Sequence, residues 1–209
     1  MADSPEVLFG CSKKSVDKAK AAVDPSLIAP ADEFPGLRTW TDKKGDVHKY
    51  WTENGTVDQV WREETKGKEG KPKLTTFVVG VRMRPGELNQ NKMGFFRMMV
   101  HPDLVQGKQV SEAIRASYEQ MTDRNLGVMI SLVEVAGKMP PDGSLPGALL
   151  GRLFPVKSRE SKSPLLGTKV CVKIHQSPNP GGPTGHQDQA DLFLPAKEMA
   201  EEEKKPFEV

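Results

Sequence analysis

The dipeptide Asn54-Gly55 restricts the chain more sharply than any other local feature. It sits between the strand-like runs "VHKYWTE" and "TVDQVW". Asn-Gly between such runs signals a two-residue hairpin, because both turn residues then need positive φ. A two-residue loop would pair Glu53 with Thr56, Thr52 with Val57, Trp51 with Asp58, Tyr50 with Gln59 and His48 with Trp61. Trp51 and Trp61 would then fall on opposite faces. One tryptophan anchors such a hairpin, since an isolated hairpin is marginal without packing. Trp51, with Lys49 beside it, is the candidate contact surface for a partner.

The flanking pattern is also β. "LRTW" precedes the turn-rich "TDKKGD". "LTTFVVGVRM" places Phe77, Val79, Val81 and Met83 on one face, and "FFRMMV" does the same with Phe96, Met98 and Val100. "GKQVSEAIRASYEQMTDRN" has helical periodicity through Val110, Ile114, Tyr118 and Met121, predicting one main helix over about 108–124. "LGVMISLVEVA", rich in β-branched residues, reads as a central strand over 126–136, and "ALLGRL" as one or two helical turns. "TKVCVKI" alternates, with Val170, Val172 and Ile174 inward and Lys169, Cys171 and Lys173 outward. The expected fold is α+β: a mostly antiparallel sheet of about six or seven strands with one main helix packed on it.

The ends differ in character. Pro5, Pro25, Pro30 and Pro35 interrupt residues 1–36, read as a poorly ordered arm. Within it, "SKKSVDKAKAAVD" can form a helix with Val16, Ala19 and Val23 on one face, marginal without a partner surface. Residues 37–175 read as a single core domain. After His175, "QSPNPGGPTGHQDQ" has a linker's composition, and residues 176–209 are expected to be a flexible acidic tail. Charge follows the same division. Residues 74–175 carry 14 Lys+Arg against 8 Asp+Glu, whereas residues 176–209 carry 3 against 7. A basic core concentrates anions, and a tethered acidic tail can compete for the same surface.

The two cysteines, Cys11 and Cys171, have no neighbours at ligand spacing, which argues against a disulfide framework or a zinc site. "MADSPEVLFG" lacks the basic and apolar regions of a secretory signal, and no apolar run is long enough to span a bilayer. A cytoplasmic or nuclear location is expected.

Few residues point to catalysis. His101 and Asp103 follow a strand end, where acid–base groups can act, but no nucleophile signature accompanies them. His48, His101, His175 and His186 have no metal-fixing spacing. Cys171 lies between two lysines, which would lower a thiol's pKa. Glu134 lies in an apolar run. No catalytic residue, metal or cofactor is assigned. The basic side chains Arg82, Arg84, Arg97, Arg152, Lys157, Arg159, Lys162, Lys169 and Lys173 form a polyanion-binding surface if they share one face. Aromatic residues are scarce around them, which argues against a base-stacking platform and favours phosphate contact or an anionic membrane surface.

The leading expectation is therefore a non-enzymatic structural or assembly protein whose basic core contacts nucleic acid or anionic lipid. This is a layout shared with matrix-like and coat-like viral proteins, and self-association would accompany it. An adaptor module is the alternative, docking protein partners through its tails and above all through the apolar knot Leu192, Phe193 and Leu194. A small enzyme using His101 and Asp103, or Cys171, is the third reading and requires these groups to converge in one pocket.

Overall fold

Where the sequence suggests a hairpin, the chain forms a single strand. The computed structural model describes residues 8–23, 38–65, 72–85, 87, 91–157, 162–179 and 185–196. In it, β1 (Arg38–Thr41) is followed by β2 (Val47–Glu64), which runs through Asn54-Gly55 without turning. Gly55 does not take positive φ. It is small for another reason. A Cβ there would lie 2.5 Å from Val81 Cγ1 and 2.7 Å from the Arg82 carbonyl oxygen. The glycine marks a close strand approach, which uses the missing side chain rather than the freedom in φ.

The long strand is paired along both edges. Its first part pairs with β1 on one edge and with β5 (Lys169–Pro178) on the other. Its second part pairs with β3 (Thr75–Met83), which pairs in turn with β4 (Met93–Val100). β6 (His186–Pro195) pairs with β5. All these pairings are antiparallel, and the five-strand order is β4-β3-β2-β5-β6, with β1 beside β2 off that path.

The alternation in β3 and β4 predicts their core faces correctly. Phe77, Val79, Val81, Met83, Phe96, Met98 and Val100 all enter the core. In β2 a bulge between Val57 and Gln59 shifts the register, and a one-residue shift moves every later side chain to the other face. Trp51 and Val57 face the core before the bulge, and Val60 faces it afterwards. The two tryptophans do lie on opposite faces, but the bulge separates them rather than a turn. Trp51 is only 6% exposed within the core, so its role as the partner-facing residue is corrected.

The sheet is strongly curled. Phe96 of β4 and Phe193 of β6 meet edge to face with ring centroids 6.1 Å apart, although their strands stand at opposite ends of the order. Helix α3 (Glu112–Val135) closes the remaining gap. Asn125 Nδ2 donates to the Met99 carbonyl at 2.8 Å, and Ser131 Oγ accepts from the Phe193 N–H at 3.0 Å. Polar groups on α3 thus take up backbone groups on both end strands, which would otherwise offer a pairing template. Arg124 of α3 also pairs with the buried Asp191 of β6.

Helix α3 begins after the N-cap Ser111, whose side chain accepts from the Ile114 N–H. It continues through the run expected to be a strand. Leu126, Val128, Met129, Ile130, Leu132 and Val133 are all fully or nearly fully buried. A helix enclosed on every side is apolar all round and loses the amphipathic signature that separates it from a strand.

The described part of the N-terminal arm belongs to this core, which corrects the expectation of a poorly ordered segment. Helix α1 (Lys13–Ala22) buries Val16 and Ala19, and Val23 follows them inward. It crosses α3 so closely that a Cβ on Gly127 would lie 2.4 Å from the Ala19 carbonyl oxygen. Lys18 pairs with Glu119 at 2.6 Å and Asp123 at 2.8 Å, and Lys20 pairs with Glu134. The short helices α2 (Pro102–Val105) and α4 (Gly147–Leu153) complete the elements. The described part of the expected acidic tail is likewise corrected, because it supplies β6. The tail beyond residue 196 lies outside the described residues.

Candidate functional site

Alternation sends one set of side chains inward and the other onto the outer face of β2, β3 and β4. Cross-strand register arranges the outer set in rows. Arg97, Val78 and Trp61 form one row, and Phe95, Gly80 and Gln59 the next. Met93, Arg82, Thr56 and Lys169 form a third, which reaches across to β5. Because Gly80 carries no side chain, the Phe95 ring rests beside the bare backbone. A Cβ on Gly80 would stand 3.0 Å from a Phe95 ring carbon.

Two aromatic rings and several cations converge here. Trp61 and Phe95 meet edge to face at 5.8 Å, and Lys157 Nζ stands 4.7 Å from the centroid of a Trp61 ring. Phe95 is 46% exposed, so an apolar ring faces solvent amid charge. Trp61 is 8% exposed, with its indole edge held by Glu63. Glu63 accepts from Trp61 Nε1 at 2.7 Å and from Arg97 Nη1 at 3.0 Å. The Trp61 hydrogen bond is the largest influence and lowers its carboxyl below the usual range; desolvation opposes it, and the Arg97 hydrogen bond and the charges of Arg97 and Lys157 add to the lowering. Arg82 pairs with Asp58 at 2.7 Å. Four cations are therefore matched by two carboxylates. Those carboxylates hold Arg82 and Arg97 in place while leaving the face net positive.

The face opens into a cleft of about 500 Å³ between the starts of β4 and β6, where the curled sheet does not close. Lys92, Phe95 and Arg97 line one side, Gln176 and Asp188 the other, and the buried Glu53 the interior.

The structure divides the sequence-derived cations. Arg82, Arg97, Lys157 and Lys169 gather on the outer face. Arg84 follows β3, with its N–H bonded to the Asn54 carbonyl. Arg152 is in the last turn of α4, and Lys162 is exposed in the loop before β5, neither in register with the rows. Arg159 lies outside the described residues. Lys173 is 3% exposed and presents no open charge, contrary to the outward orientation expected from alternation. Leu192 and Phe193 are buried as part of β6 and Leu194 is half-buried, so this apolar knot is a wall of the fold rather than a docking tail.

The groups required for an enzyme do not converge. His101 and Asp103 line one cavity, Glu134 lines another, and Cys171 lies buried on β5. Neither cysteine forms a disulfide, and among the described residues no cluster of His, Cys, Asp and Glu could hold a metal. No helix among them is long and apolar enough to cross a membrane.

Sequence reasoning missed the aromatic half of the outer face. Phe95 and Arg97 alternate with Phe96 and Met98, so half of that signal was present. Trp61 reaches the same face only through the bulge, which leaves no clear mark in composition. No known family model matches the chain, and no curated protein or solved structure matches it.

Proposed function

We propose that the protein binds single-stranded nucleic acid, without catalysis, on the outer face of β2, β3 and β4. The observation that carries this reading is the pairing of Trp61 and Phe95 inside a frame of Arg82, Arg97, Lys157 and Lys169. An exposed ring such as Phe95, here backed by Trp61, stacks unpaired bases of any sequence, and flanking cations track the phosphates. A duplex hides its base faces and an anionic lipid surface offers none, so the exposed Phe95 ring favours a single strand over both.

Connectivity supports the same reading by analogy. From β2, the chain makes a three-strand meander, crosses the opening with α3, and returns through β5 to pair with β2. β6 then lies beside β5 and approaches β4. A five-stranded, partly open Greek-key barrel of the oligonucleotide/oligosaccharide-binding type is joined in this way, and such barrels bind on the face of their second and third strands. Those strands correspond to β3 and β4 here. Fold analogy alone does not assign function, so the weight rests on the side chains. An assembly or coating role along a strand is the wider setting that this binding would serve.

Fluorescence anisotropy with labelled oligo-dT tests the proposal, with duplex DNA and phosphatidylserine vesicles as competitors. Four phosphate contacts give an expected slope of about −3 in log K against log salt for a single strand. Oligo-dT should be displaced more readily by unlabelled single strand than by duplex or vesicles. Absence of oligonucleotide binding at low salt would overturn the reading, as would stronger competition by vesicles.

A further inference from the structure

The last strand delivers the chain to the basic face. β6 pairs with β5 antiparallel, with Pro195 opposite Val170. The next residues on the two strands, Ala196 and Lys169, are therefore neighbours, about 5 Å apart across the sheet. Lys169 is exposed at the end of the row Met93, Arg82, Thr56, Lys169. The segment 197–209 thus leaves the fold at the margin of the outer face.

Its charge is complementary to that face. Glu198, Glu201, Glu202, Glu203 and Glu208 stand against Lys197, Lys204 and Lys205, and Glu201, Glu202 and Glu203 make an unbroken acidic run. On the face, Asp58 and Glu63 hold Arg82 and Arg97, which leaves Lys157 and Lys169 in excess. The adjoining cleft adds Lys92 but also Glu53 and Asp188, and so no further excess. The run is also within reach. Extended chain from Ala196 spans about 17 Å to Glu201 and about 24 Å to Glu203. Arg82 is two strands from Lys169 in the same row, about 10 Å away, and Arg97 is one strand and two rows beyond, about 20 Å in all.

We propose that the acidic run Glu201, Glu202 and Glu203 docks on this face in the unliganded protein and is displaced by the single strand that binds there. The inference rests on the single-strand reading above and assigns its regulation. A tether this short holds the run near the face at an effective concentration on the order of millimolar. Carboxylates occupy the phosphate-binding cations but cannot stack on Phe95. Closure lowers the affinity of every competing polyanion, so a ligand that also stacks on Phe95 is the one that still displaces the run. A groove of about 430 Å³ beside α3 also ends at Pro195, but Val23, Val135, Leu192 and Phe193 make it apolar, and its Lys20 is already paired with Glu134. Such a groove suits carboxylates poorly.

The test compares the wild-type chain of 209 residues with the same chain carrying Glu201→Gln, Glu202→Gln and Glu203→Gln together. At low salt oligo-dT should bind the variant about three-fold or more tighter. The difference should close as salt rises toward about 0.3 M, where exposed charges are screened. A salt slope of about −3 belongs to the uncovered face, so the variant should approach it and the wild type should fall short of it. Carbodiimide, which joins a lysine to a carboxylate in contact with it, gives a readout on the wild type without any ligand. At low salt it should join Lys157 or Lys169 to the acidic run within one chain, and oligo-dT should suppress that product. Equal affinities of wild type and variant at low salt would overturn the inference. So would the absence of this product, its formation only between chains, or joining of the run to Lys20 instead. Failure of both proteins to bind oligo-dT would overturn the single-strand reading, while the carbodiimide product would still decide whether the run docks.

Discussion

Phe95 and Cys11 mark two extremes of exposure, and each makes an expectation that can be measured. Phe95 contributes little to the core but offers a free ring face. Phe95→Ala should weaken oligo-dT binding by about ten-fold, within the stacking range of 1–3 kcal/mol per base, while the melting temperature hardly changes. Anisotropy and thermal melting of the same sample separate these effects. Cys11 is buried, and burial pushes its thiol up from 9.0 to about 12. Between those values the unfolded thiol has lost its proton and the folded one retains it. The contribution to stability is thus complete below pH 9.0 and is lost as pH rises toward about 12, at about 1.4 kcal/mol per pH unit. Urea melts from pH 8 to 10 should show this slope for the wild type and a shallower one for Cys11→Ala. Direct addition of a thiol reagent to the folded protein should label Cys11 only as fast as the chain opens.

Among the elements, the tight crossing of α1 over α3 is sensitive to a single methyl group. Gly127→Ala places a Cβ against the Ala19 carbonyl oxygen and Val23 Cγ2. Backbone cannot yield as a flexible side-chain tip can, so the helices must separate. The expected loss is about 1–3 kcal/mol, read from urea denaturation. This contact also shows what the residue pattern could carry. The α1 face of Val16, Ala19 and Val23 was legible as an amphipathic stripe, but its partner was not, because Gly127 reads as a helix stop when seen alone. Asn54-Gly55 misled in a related way. Composition records that a glycine is present, whereas only the neighbouring strand shows whether positive φ or a missing Cβ is the reason. β3 and β4, each covered differently on their two faces, kept a period of two and were read correctly. The second half of α3, enclosed on all sides, had no period to read.

For the molecule as a whole, the curled sheet is held shut by α3. Arg124 and Asp191 form one of these closures, with Asp191 nearly inaccessible. Arg124→Met removes a counter-charge from a buried carboxylate and should cost on the order of 2 kcal/mol, measured by chemical denaturation. β6 is the wall that sequence reasoning assigned to a tail. Its first half, "HQDQ", is polar, and the preceding "NPGGPTG" looks like a linker when its other end is not known to return to β5. Ending the chain after Asn179 should therefore abolish cooperative thermal unfolding, because Phe193 and its pairing with Val172 are lost from the core. The distribution of charge was legible as a basic centre. Its concentration on one face was not, since that depends on the β2 bulge and on three strands in register.

The double pairing of β2 also bears on how the protein is made. His48 and His175, joined across β2 and β5, stand 127 positions apart. A chain emerging in order from the ribosome can build the β2-β3-β4 meander early, but the other edge of β2 must wait until β5 has been synthesised. Long-range pairing of this kind places folding in the slower range, about milliseconds to seconds. During that wait, β2 presents an unpaired edge, and nascent chains on neighbouring ribosomes offer the same edge to one another. Exchange of β5 and β6 between chains is the assembly error this order of synthesis invites.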